Sequence, residues 1–329
     1  MRINRRAALA LPAVLAAPAV HAQGTATVFP QRGITILVPS APGGTLDALA
    51  RFFAQAMAPG LGKPVVVENV SGAGGLVGMQ RLARSEPDGH TLAFGNMGIM
   101  ATGYTLNPDS GFDPRRDMAP VSLVADVPMV LATSPRGTLR SLPELLAHIR
   151  DKGERATFGT AGVGTTSHLA PAYLMHLAGL KGTLVSYRGS GPAMNDLAAG
   201  VVDAVIDQTV TMIPAHRGGT ARAVAVSAPA RIPQLPDVPT FAEAGRPDFD
   251  LVIWNGFAAP AATPAPILAR LHEALEAALR DSALQGRMVD LASTVPAPAA
   301  RGPAAMRQRI TADIAKWTVI VREAGLNRE

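Results

Sequence analysis

Short apolar runs alternate along the chain with longer stretches whose apolar residues recur every three or four positions. Ile34-Thr35-Ile36-Leu37-Val38 reads as a buried strand. Leu46, Leu49, Phe53 and Met57 share one face and predict a helix over 45–58, ended by Pro59-Gly60. A strand over 64–69, a glycine loop over 71–75, a helix over 76–84 and a strand over 91–94 follow. Two apolar runs, 121–125 and 129–133, are placed to carry the chain into a second lobe. There a capping-box start at Ser141-Leu142-Pro143-Glu144 predicts a helix to about Arg150. Strands are predicted over 156–158, 184–187, 204–206 and 221–227, with helices over 167–178 and 192–199. The run 251–258 returns the chain to the first lobe. Two helices close it, one striped by Leu268, Leu271, Leu275 and Leu279, the other by Met306, Ile310, Ile314, Trp317 and Val321. Strand–helix alternation of this kind predicts α/β architecture with mostly parallel sheets. Two crossings make the first lobe discontinuous (23–128 with 251–329) and the second inserted (129–250).

Two similar glycine turns stand out, one per lobe. The first spans Ser40, Ala41, Pro42, Gly43, Gly44, Thr45 and Asp47; the second spans Thr160, Ala161, Gly162, Val163, Gly164, Thr165, Thr166 and Ser167. Each leaves a predicted strand and opens a predicted helix. Such a bend aims bare backbone N–H groups and the positive end of a helix dipole at one place, which suits an anion. Two seats facing each other would hold a small carboxylate. Asp47 has an alternative role as a first-turn acid complementing its helix dipole. Asp207, ending a strand beside Thr209 and Thr211, either fixes an inter-lobe loop or touches ligand. Trp254 reads as packing.

Composition narrows the function. The 329 residues are 48% hydrophobic and 17% charged, which fits a folded chain. Formal charge is +5, falling to +2 without Arg2, Arg5 and Arg6. No Lys/Arg cluster interleaves with aromatics, which argues against nucleic-acid binding. Arg2, Arg5 and Arg6, the apolar run 7–19 and the small-x-small site Val20-His21-Ala22 predict an export signal over 1–22, with Arg5-Arg6 hinting at twin-arginine export. The run is shorter than the roughly 20 apolar residues of a membrane span. With no Cys, an exported chain has no disulfides and no lipid anchor through an N-terminal Cys. A soluble periplasmic protein is expected.

Catalytic and cofactor motifs do not assemble. Gly72-Ala73-Gly74-Gly75-Leu76-Val77 lacks the third glycine of a dinucleotide fingerprint, and no phosphate-binding G-x-x-x-x-G-K-[ST] loop occurs. Arg188 precedes Gly189-Ser190-Gly191, so this is not a nucleophile elbow, and His272-Glu273 lacks the second His of a zinc helix. No Cys/His/acid cluster has metal-ligand spacing, so neither cofactor nor metal is expected. A hydrolase would have to pair His168 with Ser167.

The same residues carry a family resemblance. Pro42-Gly43-Gly44 with Asp47 and Ala50-Arg51, Val67-Glu68-Asn69 with Gly72-Ala73-Gly74-Gly75, and Pro87-Asp88-Gly89 are its first pieces. Gly162-Val163-Gly164-Thr165 with His168-Leu169, Tyr187-Arg188-Gly189-Ser190-Gly191-Pro192-Ala193, Asp237-Val238-Pro239-Thr240 and Trp254-Asn255-Gly256 complete it. Across essentially the whole mature chain, the sequence resembles the Bug-type receptors of tripartite tricarboxylate transporters. The resemblance implies a two-lobed, type II periplasmic-binding-protein fold that closes on its ligand like a flytrap. It implies a small organic acid ligand, membrane permease subunits as partners, no enzymatic activity and a monomer. The ligand carboxylate is then held by the loops matching Ser40–Asp47 and Thr160–Ser167. The segment from Gly95 and Asn96 to Gly98 and the stretch Asp207–Thr211 shape the rest of the ligand. Ser40 stands where the family often has an aromatic residue, and Thr165 where serine is common. A ligand sensor for a signalling partner is the alternative reading.

Overall fold

In the computed structural model, which describes residues 29–326, the apolar runs become strands β1 (Ile34–Val38), β2 (Val65–Asn69) and β3 (Thr91–Asn96), followed by the long β4 (Met118–Thr133). Then come β5 (Thr157–Thr160), β6 (Thr183–Ser186), β7 (Ala204–Gln208), β8 (Arg222–Val226) and β9 (Val252–Pro260). Between β1 and β4 lie helices α1 (Thr45–Leu61), α2 (Leu76–Ala83) and the short α3 (Gly103–Leu106). The second half adds α4 (Leu142–Lys152), α5 (Thr166–Ala178), α6 (Ser190–Ala199) and α7 (Thr209–Arg217). Helices α8 (Ala265–Ala278), α9 (Ser282–Asp290) and α10 (Gly302–Glu323) end the chain. The expected export segment lies outside the described residues.

All nine strands belong to one curled sheet in the order β2-β1-β3-β9-β4-β7-β5-β6, with β8 also against β4. The pairs among β1, β2 and β3 are parallel, as are those among β5, β6 and β7. Strands β4 and β9 run antiparallel to their neighbours, making the sheet mixed. The two apolar runs at 121–125 and 129–133 are a single strand. Its residues 118–128 pair with β9, and its residues 129–133 pair with β7 and β8. The two prolines in this strand sit where the ladder tolerates a missing N–H. Pro120 borders a register shift, and Pro128 faces Val252, the first residue of β9 and the point where partners change.

Helix α1 buries Leu46, Leu49, Phe53 and Met57, as its periodicity predicts. Phe53 meets Phe94 and Phe257 at ring-centroid distances of 6.1 and 5.5 Å, and those two rings lie 4.7 Å apart. Each such pair adds about 0.5–1.5 kcal/mol beyond area burial. The helix runs past Pro59 to Leu61, which is buried, and ends at the left-handed Gly62.

Three helices escape the sequence reading, the short α3 and two longer ones. α7 contains Thr209, Val210, Thr211 and Pro214, poor helix formers, and is held by burying Val210, Met212 and Ile213. α9 is short, but Asp281 caps it by accepting from Leu284 N–H at 2.8 Å. α10 packs along β4 and reaches both halves of the molecule. Trp317 stacks edge-on against Tyr173 of α5 at 5.7 Å, and Asp313 accepts from Trp254 Nε1 at 2.5 Å.

Candidate functional site

The carboxyl ends of the parallel strands β1, β3, β5 and β7 open towards one another, the usual place for ligands in open α/β sheets. Here the first and second halves of the sheet touch through their loops. The Thr45 and Thr211 hydroxyls bond at 2.8 Å, joining the N-termini of α1 and α7. Asn96 at the end of β3 reaches Thr166 at the start of α5 at 3.4 Å. Ala41 N–H donates to Arg188 C=O at 3.3 Å. Added Cβ atoms report how closely the backbones approach. One on Gly44 would stand 3.3 Å from Ser190 Cβ, and one on Gly98 would stand 2.5 Å from Thr166 N.

The first glycine turn is held from behind. Asp47 Oδ2 accepts from Gly43 N–H at 3.1 Å, and Asp47 Oδ1 accepts from Arg51 Nε at 3.0 Å. Arg51 also donates to Asn69, whose amide donates to Ser40 C=O at 3.2 Å. Burial pushes the Asp47 carboxyl up, but the Arg51, Gly43 and Asn69 bonds outweigh it and leave it below the usual range. Both Asp47 oxygens are thus engaged within its own turn and helix. Gly43 adopts φ +87°, a conformation that side chains resist, with open space beyond it.

The second turn is also braced internally. Ser167 Oγ accepts from Ala161 N–H at 2.6 Å, and Thr165 Oγ1 donates to Gly162 C=O at 2.7 Å. Thr160 Oγ1 donates to Val185 C=O at 3.3 Å and accepts from Gly162 N–H at 3.4 Å. The N–H groups of Ala41, Gly43, Ala161 and Gly162 are thus engaged within the protein. The first turns of α1 and α5 remain: neither the Gly44 nor the Thr165 cap position carries a side-chain hydrogen bond. Helix starts without a cap expose N–H groups of the kind that suit an anion, although in α5 the His168 N–H already donates to Thr165 C=O at 3.0 Å.

Buried polar atoms without a partner include Ser40 Oγ after β1, Asp207 Oδ2 near the end of β7, Thr209 Oγ1 at the start of α7 and Asn255 Oδ1 in β9. Asp207 is 3% exposed, and Oδ1 accepts from Gln208 N–H at 2.7 Å. Burial raises its pKa to about 6, against the opposing pull of the nearby Ser190 hydroxyl and the Gln208 amide. Asn255 donates through Nδ2 to Gln208 Oε1 at 2.8 Å and to Ile253 C=O at 3.1 Å. Thr209 and Thr211 were read beside Asp207, and the whole stretch Asp207–Thr211 as shaping the ligand, whereas Ser190 and Asn255 stood only inside family motifs and were given no site role. The signal was polarity inside apolar strands or at strand ends, as in Asp207-Gln208-Thr209 after Ala204-Val205-Ile206.

A cavity of about 300 Å³ opens between the second glycine turn and the side of α2 and α3. Met79, Leu106, Phe112, Val163 and Leu326 are among its walls, and no charged side chain lines it. Of the residues singled out from sequence, Gly98, Gly162, Val163 and Gly164 border it. His168 is buried and neutral, its pKa lowered to about 4 by loss of solvation. Trp254 is fully buried in the core. Among the described residues no three His, Cys, Asp or Glu side chains group as a metal site, and no helix is long and apolar enough to cross a membrane.

Two halves of one curled sheet, joined by β4 and β9 and touching through their loops, define a two-lobed solute receptor of the periplasmic-binding-protein class. Residues 49–326 match the model of the tripartite tricarboxylate transporter family receptor, and the chain belongs to that family. The protein from the TAR-I ttuE-ttuC' intergenic region of Agrobacterium vitis is 39% identical over 297 residues, covering 90% of this chain and 86% of the relative. BugT of Bordetella pertussis is 34% identical, covering 94% of this chain and 95% of its own. Among solved structures, the periplasmic binding protein BugD superposes with a TM-score of 0.87 at 34% identity, covering 92% of this chain and all of its own. MatC from Rhodopseudomonas palustris with bound malate gives 0.86 at 36% identity, covering 89% and 100%.

Proposed function

We propose that this protein is an exported, periplasmic receptor that captures a small carboxylate-bearing metabolite between its lobes and delivers it to the membrane permease subunits of a tripartite tricarboxylate-type transporter. The lobes are 23–128 with 251–329, and 129–250, with the export signal cleaved near Ala22 and the mature chain acting as a monomer. What carries the reading is that α1 in one half and α5 in the other both start without a side-chain cap, each against the opposite half, Thr45 on Thr211 and Thr166 on Asn96. Family membership and the malate-bound relative support the same chemistry.

Closure is the working step. A ligand touching both lobes binds the closed form better and shifts the balance towards it. Moving that balance from 1:99 to 99:1 takes about 5.5 kcal/mol of differential affinity. Three hydrogen bonds to a charged oxygen, at about 1.5–3 kcal/mol each, are enough. A hydrolytic reading would set His168 against Ser167. Instead, the Ser167 hydroxyl is engaged by Ala161 N–H and Thr165, and His168 Nδ1 has no partner.

A thermal-shift screen of the mature protein against mono-, di- and tricarboxylates and amino acids tests the reading. A ligand at 100 times its Kd stabilises by about 2.7 kcal/mol, and at least one carboxylate is expected to raise Tm by several degrees. Shifts with neutral sugars alone would sink the assignment.

A further inference from the structure

The chain passes between the two halves twice, and both passages lie at one place. β4 stays with β9 as far as Pro128, which pairs with Val252; from Met129 onward it pairs with β7 and then β8. The return passage is Leu251, directly before Val252 and β9. On the proposed division of the lobes these are the two covalent links, so a swing of one half against the other is absorbed here. Ser227, the residue after β8, touches both links. Its N–H donates to Met129 C=O at 2.8 Å, and its Oγ accepts from Met129 N–H at 2.8 Å. The same hydroxyl donates to Leu251 C=O at 2.6 Å. One residue thus clamps the outgoing passage by both of its backbone polar groups and ties it to the returning one.

The surroundings make these bonds hard to replace. Ser227, Met129 and Leu251 are all buried, so water is not at hand as a substitute partner and breaking either bond is costly. Pro128 has no N–H, so β4 carries no donor immediately before the clamp begins. A hydroxyl suits a junction that turns. It accepts and donates at once, and its proton rotates about the C–O bond to follow a moving acceptor. Ser227 belongs to neither glycine turn and does not line the cavity.

We propose that Ser227 is the positioning residue of the hinge: its hydroxyl couples the two passages so that they turn together, and the halves close along one path that brings α1 and α5 to the same mutual position each time. Its bonds to Met129 and Leu251 hold in the open and the closed form, and it acts on binding only through that closure. The proposal rests on the closing-receptor reading and goes beyond it by assigning the residue that guides the movement.

Distances between the lobes test it. The chain has no cysteine, so Ala83→Cys and Lys181→Cys, at exposed positions on opposite halves, place a single pair of spin labels on the mature protein. Without ligand, Ser227→Ala is expected to broaden the distance distribution about twofold. In calorimetry with the carboxylate that most raises Tm, it is expected to weaken binding about tenfold. Ser227→Thr keeps the hydroxyl and is expected to restore both to within about twofold of the wild type. A Ser227→Ala protein with the wild-type distribution, or a Ser227→Thr protein as broad as Ser227→Ala, overturns the proposal and leaves the carboxylate receptor standing. Hydrogen exchange on the unlabelled, ligand-free wild type decides even where Ser227→Ala does not fold. Met129 N–H is expected to exchange as slowly as the amides of Leu131 and Ala132 in the same strand. Faster exchange at Met129 means that the clamp opens with the cleft, and overturns the proposal. A wild type whose label distance is the same with and without that carboxylate removes closure, and both readings with it.

Discussion

Gly74→Ala is expected to weaken ligand binding about 100-fold, equivalent to about 2.7 kcal/mol, while the ligand-free protein keeps its fold. Gly74 lies in the loop after β2, and its backbone meets the Val163 segment of the second glycine turn. A Cβ on Gly74 would sit 1.8 Å from Val163 C=O, far inside van der Waals contact. The obstructing atom is backbone oxygen, so no side-chain rotation relieves it. The collision exists only when the lobes are together, so the variant is free to stay open and folded, and the loss appears in closure. Gly74 has φ +63°, so an alanine also carries local strain. Gly179→Ala controls for that strain: Gly179 caps α5 at φ +62° and has nothing within 4 Å of its added Cβ. Calorimetry should find weak binding in Gly74→Ala and near-normal binding in Gly179→Ala. Equal affinities in the two would show that the loop contact is not part of the closed state.

The second large effect is on stability. Trp254→Ala is expected to cost about 3–5 kcal/mol, the usual penalty for emptying a large buried aromatic site. Trp254 is fully buried on β9, and its Nε1–H donates to Asp313 on α10. Removing it leaves a cavity beside the strand that returns the chain to the first lobe. It also leaves Asp313, 8% exposed, with Arg309 as its remaining side-chain partner. Trp254→Phe keeps most of the volume and loses the donor, so its loss should be smaller. Chemical denaturation checks the order: wild type, then Phe, then Ala. A Trp254→Ala variant as stable as the wild type would remove this residue from the core that ties α10 to the sheet.

Much of this architecture was legible from residue order. Apolar periodicity located α1, α8 and α10 because each buries one clean stripe, and the glycine bends marked the ends of β1 and β5. Where neighbours in space decided the outcome, the pattern fell short. β4 looked like two runs because Pro128 interrupts it, yet that proline falls where pairing partners change and costs the ladder little. α7 was hidden by β-branched residues and Pro214, whose poor propensity is outweighed by burial of Val210, Met212 and Ile213.

The site divides along the same line. Strand–glycine–helix order pointed to both turns and to their helix starts. It did not show that Asp47, Thr160 and Ser167 occupy several of the turn amides themselves, so the proposed anion seat draws on the first turns of α1 and α5 instead. Nor did it give a role to Ser190 or Asn255, whose contacts come from strands and lobes that sequence spacing does not bring together.

The most direct measurement is a crystal structure of the mature protein with the carboxylate that most raises its melting temperature. The carboxylate oxygens should lie within hydrogen-bond distance of the first-turn N–H groups of both α1 and α5. A ligand seated in the apolar cavity beside Met79 and Phe112, or held by one lobe alone, would contradict the account.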